Sequence, residues 1–123
     1  MKKEYLLFLV LGLALISGCA KTPSSSYCDT ILPPDEKNSC YETVAVTKST
    51  PDTCLKSTTE LQQNVCLRNY ALAKNDINLC DKVPDTGQTE LCIRNIAIKT
   101  NNSKLCSQIL DGTVKEDCIN GSK

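Results

Sequence analysis

The sequence predicts an all-α fold, a short solenoid of four disulfide-stapled α-hairpins with a period of 26 residues. Three observations predict it. Eight cysteines (Cys28, Cys40, Cys54, Cys66, Cys80, Cys92, Cys106 and Cys118) are separated alternately by 12 and 14 residues, a regularity that chance does not produce and that marks stacked supersecondary units. After each second cysteine the apolar residues follow a helical stripe and not strand alternation, as in Cys92-Ile93 followed by Ile96-Ala97-Ile98. Aromatic bulk is scarce, at four Tyr and one Phe, so a core of Leu, Ile, Val and Ala needs covalent help.

The chain opens with Met1-Lys2-Lys3, an apolar run from Leu6 to Ile16, and then Ser17-Gly18-Cys19, the layout of a secretory signal over residues 1–18. A membrane span needs roughly 20 apolar residues, and Tyr5 through Gly18 supplies 14. Ile16-Ser17-Gly18-Cys19 resembles the lipobox of prokaryotic lipoproteins, although Ile16 stands where Leu usually leads and Glu4 dilutes the basic start. The resemblance implies cleavage before Cys19 and a diacylglycerol on its sulfur, which would hold the protein on the membrane. Residues 19–26 continue as Ala20-Lys21-Thr22-Pro23 and three serines, the composition of a flexible tether.

A repeat domain is expected over 27–121, in units of about 27–49, 50–75, 76–101 and 102–121. Each begins with a short helix carrying the first cysteine, opened by Thr50-Pro51-Asp52, Asn75-Asp76 or Asn102-Ser103 and stopped near Pro33-Pro34, Pro84 or Asp111-Gly112. A longer helix is expected to open near Thr59, Thr89 and Thr113, and Thr59 to Gln62 and Thr113 to Glu116 have capping-box spacing. Its stripe contains a small residue in every complete unit, Ala45, Ala71 and Ala97, which suits a close helix crossing. Unit 1 has Glu42-Thr43 where units 2 and 3 have Arg-Asn, and unit 4 is truncated, both read as polar capping of the stack.

Geometry selects the cysteine pairs. About a turn centred on Thr86, Cys80 and Cys92 are each six residues away and stand at one height on an antiparallel hairpin. About Asn101, Cys92 and Cys106 are nine and five residues away, a mismatch of about 6 Å that a disulfide does not tolerate. The expected bridges are Cys28–Cys40, Cys54–Cys66, Cys80–Cys92 and Cys106–Cys118. Each closes a short loop worth about 3 kcal/mol in the chain-entropy model. Their persistence requires an oxidising, extracytoplasmic compartment, in agreement with the signal peptide. The array resembles disulfide-stapled helical-repeat proteins of microbial surfaces, a likeness that implies architecture and carries no activity.

Composition excludes several chemistries. Removing Lys2, Lys3 and Glu4 with the signal leaves 12 basic and 13 acidic residues, with no basic field for nucleic acid. His is absent and no two cysteines of the repeat lie closer than 12 residues, against both a zinc site and a Cys-x-x-Cys redox motif. No cofactor, metal or catalytic residue is expected. Asp52, Asp76, Glu90 and Asp111 read as helix-start residues. Arg68-Asn69 and Arg94-Asn95 recur at the repeat period and form a ladder, either a grip for an anionic or carbonyl-rich partner or a solvated helix face. Asn101-Asn102-Ser103 and Asn120-Gly121-Ser122 match the glycosylation pattern. The expected protein is thus a lipid-anchored extracytoplasmic lipoprotein, non-enzymatic, that binds another protein or an envelope polymer. The alternative is a purely structural or protective envelope component, with a thiol-redox factor behind it.

Overall fold

The computed structural model of the protein describes residues 23–123. The expected signal peptide, the expected lipidation site Cys19 and the first half of the expected tether, residues 19–22, lie outside the described residues. The elements are α1 (Ser25–Asp29), α2 (Pro34–Lys48), η1 (Pro51–Lys56), α3 (Glu60–Lys74), η2 (Ile77–Lys82), α4 (Thr86–Lys99), η3 (Ser103–Gln108) and α5 (Gly112–Gly121), where η denotes a 3-10 helix. Among the described residues all regular structure is helical, and none of the helices is long and apolar enough to cross a membrane. Each short helix pairs with the long helix that follows it, and each long helix packs against the long helix of the next unit. The result is a stack of four hairpins.

Four disulfides join the hairpins internally: Cys28–Cys40, Cys54–Cys66, Cys80–Cys92 and Cys106–Cys118, with Cα atoms 5.6, 5.5, 5.7 and 5.8 Å apart. The hairpin geometry differs in one respect from that expected of two α-helices. The short helices of units 2 to 4 are 3-10, and the turn of unit 3 centres on Pro84, between Lys82 and Thr86, instead of on Thr86. A 3-10 helix rises about 2.0 Å per residue against 1.5 Å for an α-helix. That steeper rise and the extended Val83 make up most of the height that the shorter arm lacks.

In η2 the 3-10 form accompanies a three-residue apolar period. In a 3-10 helix residues i and i+3 eclipse, so Ile77 and Cys80 share one side, and Val83 follows three residues later in extended backbone. Cys80 and Val83 are buried and Ile77 packs against the cluster that holds Cys80. Cys106 and Ile109 repeat the pattern, both within 1% of complete burial. Each short segment ends on an i to i+3 bond from the residue below the cysteine, as in Val83 N–H to the Cys80 carbonyl at 3.0 Å and Ile109 N–H to Cys106 at 3.2 Å.

The long helices start earlier than Thr89 and Thr113. Asp85 and Asp111 are the caps, their carboxylates accepting from Gln88 N–H and Val114 N–H, because Asp holds the first-turn donors and complements the helix dipole better than the downstream threonines. Thr113 to Glu116 is therefore not a capping box, whereas Thr59 does accept from Gln62 N–H. Pro34 and Gly112 lie in the first turn of α2 and α5, not at stops. α1 begins at Ser25 with Ser24 as cap, so the repeat domain reaches into the segment expected to be tether. Asn75 closes α3 and does not open η2, which Asp76 caps.

Three residues have positive φ, all at unit junctions and 26 residues apart: Ser49 (54°), Asn75 (52°) and Asn101 (50°). In each case the next residue reaches back into the helix. Thr50, Asp76 and Asn102 donate to the carbonyls of Ala45, Ala71 and Ala97 at 3.0, 3.3 and 2.9 Å, the closure of a Schellman turn. These alanines are completely buried. The position therefore serves twice, as the close crossing to the next unit and as the acceptor that ends the helix.

Candidate interaction surface

The contacts between successive units define what each unit presents forward and backward. From unit 1, the Asn38 side chain accepts from Thr58 N–H at 3.0 Å, and Glu42 accepts from Asn69 Nδ2 at 3.1 and 3.2 Å. From unit 2, Arg68 Nη1 donates to Gln88 Oε1 at 2.7 Å. From unit 3, Glu90 Oε1 accepts Leu110 N–H at 2.8 Å and Asp111 N–H at 3.2 Å, and Arg94 lies 4.0 Å from Asp117. Lysines add backbone contacts, Lys74 to the Val46 carbonyl and Lys99 to the Leu72 carbonyl. Asn38, Asn64, Glu90 and Glu116 occupy one repeat position, and the first three are buried.

This arrangement relocates the residues singled out from sequence. Arg68, Asn69 and Arg94 are half-buried and bound to the neighbouring unit, and Asn95 is half-buried beside them, so the expected ladder is part of the stacking interface and not an exposed grip. The Nε of Arg68 and that of Arg94 are buried without a hydrogen-bond partner. Glu42 faces unit 2, so it does not cap the end of the stack. Glu90 is not a helix-start residue: it lies inside α4 and holds the turn of unit 4. Asn38 and Gln88 escaped the sequence reading because their partners lie 20 residues away, a distance visible only once the register of the stack is known.

The backward face of a unit consists of the first cysteine's neighbours and the outer side of its long helix. In units 2 to 4 it is covered. Thr53 is 8% exposed, and Ser57, Val83 and Ile109, which share one position, are buried. Val83 packs into the cluster formed by Cys54, Cys66, Leu67 and Tyr70 of the preceding unit. In unit 1 the same positions are Tyr27, 59% exposed, and Ile31, half-buried. With Glu36, Ser39 and Thr43 they line an open, mostly apolar cavity of about 500 Å³. The counterparts of Ile31 at its centre are buried against the preceding unit in each later unit.

Chemistry at this end is limited to one coupled pair. Tyr41 Oη donates to Asp29 Oδ1 at 2.5 Å, and Lys56 of unit 2 lies 3.6 Å from the other carboxylate oxygen. That hydrogen bond, with burial behind it, pushes the Tyr41 phenol up to about 12, and it holds the Asp29 carboxyl below its ordinary value. Among the described residues no three His, Cys, Asp or Glu side chains converge as metal ligands. No family model, curated protein or solved structure matches the chain.

Proposed function

We propose that the protein is a lipid-anchored, extracytoplasmic, non-enzymatic interaction module whose contact surface is the uncovered face of unit 1. One observation carries this reading: Ser57, Val83 and Ile109 are buried against a neighbour and Thr53, Leu79 and Leu105 are buried or half-buried, whereas at the same two positions of unit 1 Ile31 is half-buried and Tyr27 is exposed, lining a cavity of about 500 Å³. A stack that served only as an inert spacer would gain by closing that end with polar residues. Exposed apolar surface rimmed by polar groups marks a binding site. Anchorage through Cys19 would set that face beside the membrane, because Pro23 borders the same cavity.

A photoreactive amino acid at Tyr27, introduced in the intact cell, tests the contact. It is expected to give a covalent adduct with a component of the envelope, whereas the same group at exposed Asp81 gives none. Equal yields at both positions, or none at either, would remove the face of unit 1 from consideration. Intact mass of the membrane-extracted protein tests the anchor: it should begin at Cys19 and carry acyl mass. An unmodified Cys19 would contradict lipidation.

A further inference from the structure

We infer that the socket on unit 1 receives unit 4 of a second copy of this chain, so that molecules join head to tail in the order that joins the units within one molecule. The inference rests on the reading of that face as a contact surface and names its occupant. Unit 4 presents forward two of the positions that unit 3 uses to hold it, those of Glu90 and Ile93. Glu116 stands at the position of Glu90, one period later, and is exposed where Glu90 is 8% exposed. Ile119 stands at the position of Ile93 and is 39% exposed against 5%. Among the described residues these exposed positions of unit 4 and those of unit 1 correspond to the two sides of the contact made between successive units.

The polar register matches in part: Pro33, three periods before Asp111, has no N–H, so Glu116 meets one of the two backbone donors that Glu90 has. Within the molecule Glu90 accepts the N–H of Leu110. Three periods before Leu110 is Leu32, equally exposed at the turn of unit 1, and it stands opposite Glu116 when the stacking step is applied once more. The same step sets Asn120 against Glu36, as Arg68 is set against Gln88. A carboxylate receiving a backbone N–H and an amide donating to a carboxylate are both compatible pairs. Every hairpin begins and ends on the edge that carries Ser49, Asn75 and Asn101, so Pro23 lies on that edge too. Copies added along the stack therefore keep their N-termini on one side, which suits molecules anchored in one membrane. The contact is heterologous and does not close, so it generates open rows, not a defined dimer.

The test is photocrosslinking of the full chain in its own membrane, with the reactive group at Ser39 and mass mapping of the products. The expected result is a ladder of multiples of the protein mass, with the reactive residue joined to residues 112–123 of another copy. Glu116→Lys should lower the laddered fraction about tenfold, the factor expected for losing one charge-assisted contact. Its four bridges should stay intact on non-reducing mapping. A ladder that persists in Glu116→Lys, or products joining unit 1 to unit 1, would overturn the inference. Adducts to a different envelope component alone would also overturn it, while leaving the interaction-module reading in place. An intrachain product with residues 19–22, or no product at all, would overturn both.

Discussion

Glu90 shows how a single side chain can join two units. Its carboxylate is buried inside α4 yet accepts two backbone N–H groups from the turn that opens unit 4, Leu110 and Asp111. Buried charge is tolerable only when its lone pairs are used, and here the donors belong to a helix start that needs acceptors. Glu90→Ala leaves both donors unpaired and should destabilise the protein by about 2–3 kcal/mol in urea unfolding. A loss under half that would mean that the turn does not depend on the carboxylate. Tyr41 and Asp29 form the corresponding coupled pair at the other end. The raised Tyr41 phenol favours folding fully below pH 10.0, its ordinary value, and that contribution is lost as pH rises through about 12. The lowered Asp29 carboxyl contributes above 3.8 and fades as pH falls through its depressed value. The absorbance titration of the folded protein should therefore contain a phenol ionising near 12 that is missing in Tyr41→Phe. An unchanged titration curve in the variant would place the shift elsewhere.

At the scale of elements, the long helices were legible because their apolar stripe is broad and their cysteines keep strict phase. The short elements were legible as helices but not as 3-10 helices. Leu79 and Val83 flank Cys80 at spacings that suit an α-helix, whereas Ile77, Cys80 and Val83 recur every third residue, Ile77 and Cys80 in one cluster and Val83 in the cluster of the preceding unit. Six residues are too few for periodicity alone to separate the two forms. Helix starts were misplaced where two candidate caps lie within a turn of each other, Asp85 against Thr89 and Asp111 against Thr113. The junctions carry a signal of their own in addition to their position: Ser49, Asn75 and Asn101 recur at the repeat period, and Asn is the residue other than glycine that best accepts positive φ. Asn75→Ala should accordingly cost about 1 kcal/mol, with Asn75→Gly near neutral, both measured by thermal unfolding. Equal losses for the two would show that the Asn side chain matters more than the backbone conformation.

At the scale of the whole molecule, fold and site were legible to different depths for one physical reason. The fold is set by features that repeat along the chain, and repetition can be read from sequence. The site is set by where repetition stops. Ile31 looks like an ordinary apolar residue until the structure shows that its counterparts Ser57, Val83 and Ile109 are buried by a preceding unit, and Tyr27 likewise, beside the buried Thr53 and the half-buried Leu79 and Leu105. Arg68 and Arg94 were misread in the opposite direction, because a periodic charged pair resembles a displayed ladder, while stacking turns it into an internal contact. Such a stack has stability that sums over units and nearest-neighbour interfaces. Its aromatic-poor core is organised around cysteines, of which Cys28, Cys54, Cys80, Cys92 and Cys118 are completely buried. Each bridge removes unfolded-chain entropy worth about 3 kcal/mol, so the four together rival the net stability of a small domain.

The central claim, that every unit is a hairpin closed by its own bridge, is tested most directly by non-reducing peptide mapping of the natively folded protein. The account predicts four linked peptide pairs joining cysteines 12 residues apart, Cys28–Cys40, Cys54–Cys66, Cys80–Cys92 and Cys106–Cys118, with no free thiol among the eight. Bridges spanning the 14-residue gaps, such as Cys40–Cys54 or Cys92–Cys106, would contradict it, because those cysteines belong to different hairpins.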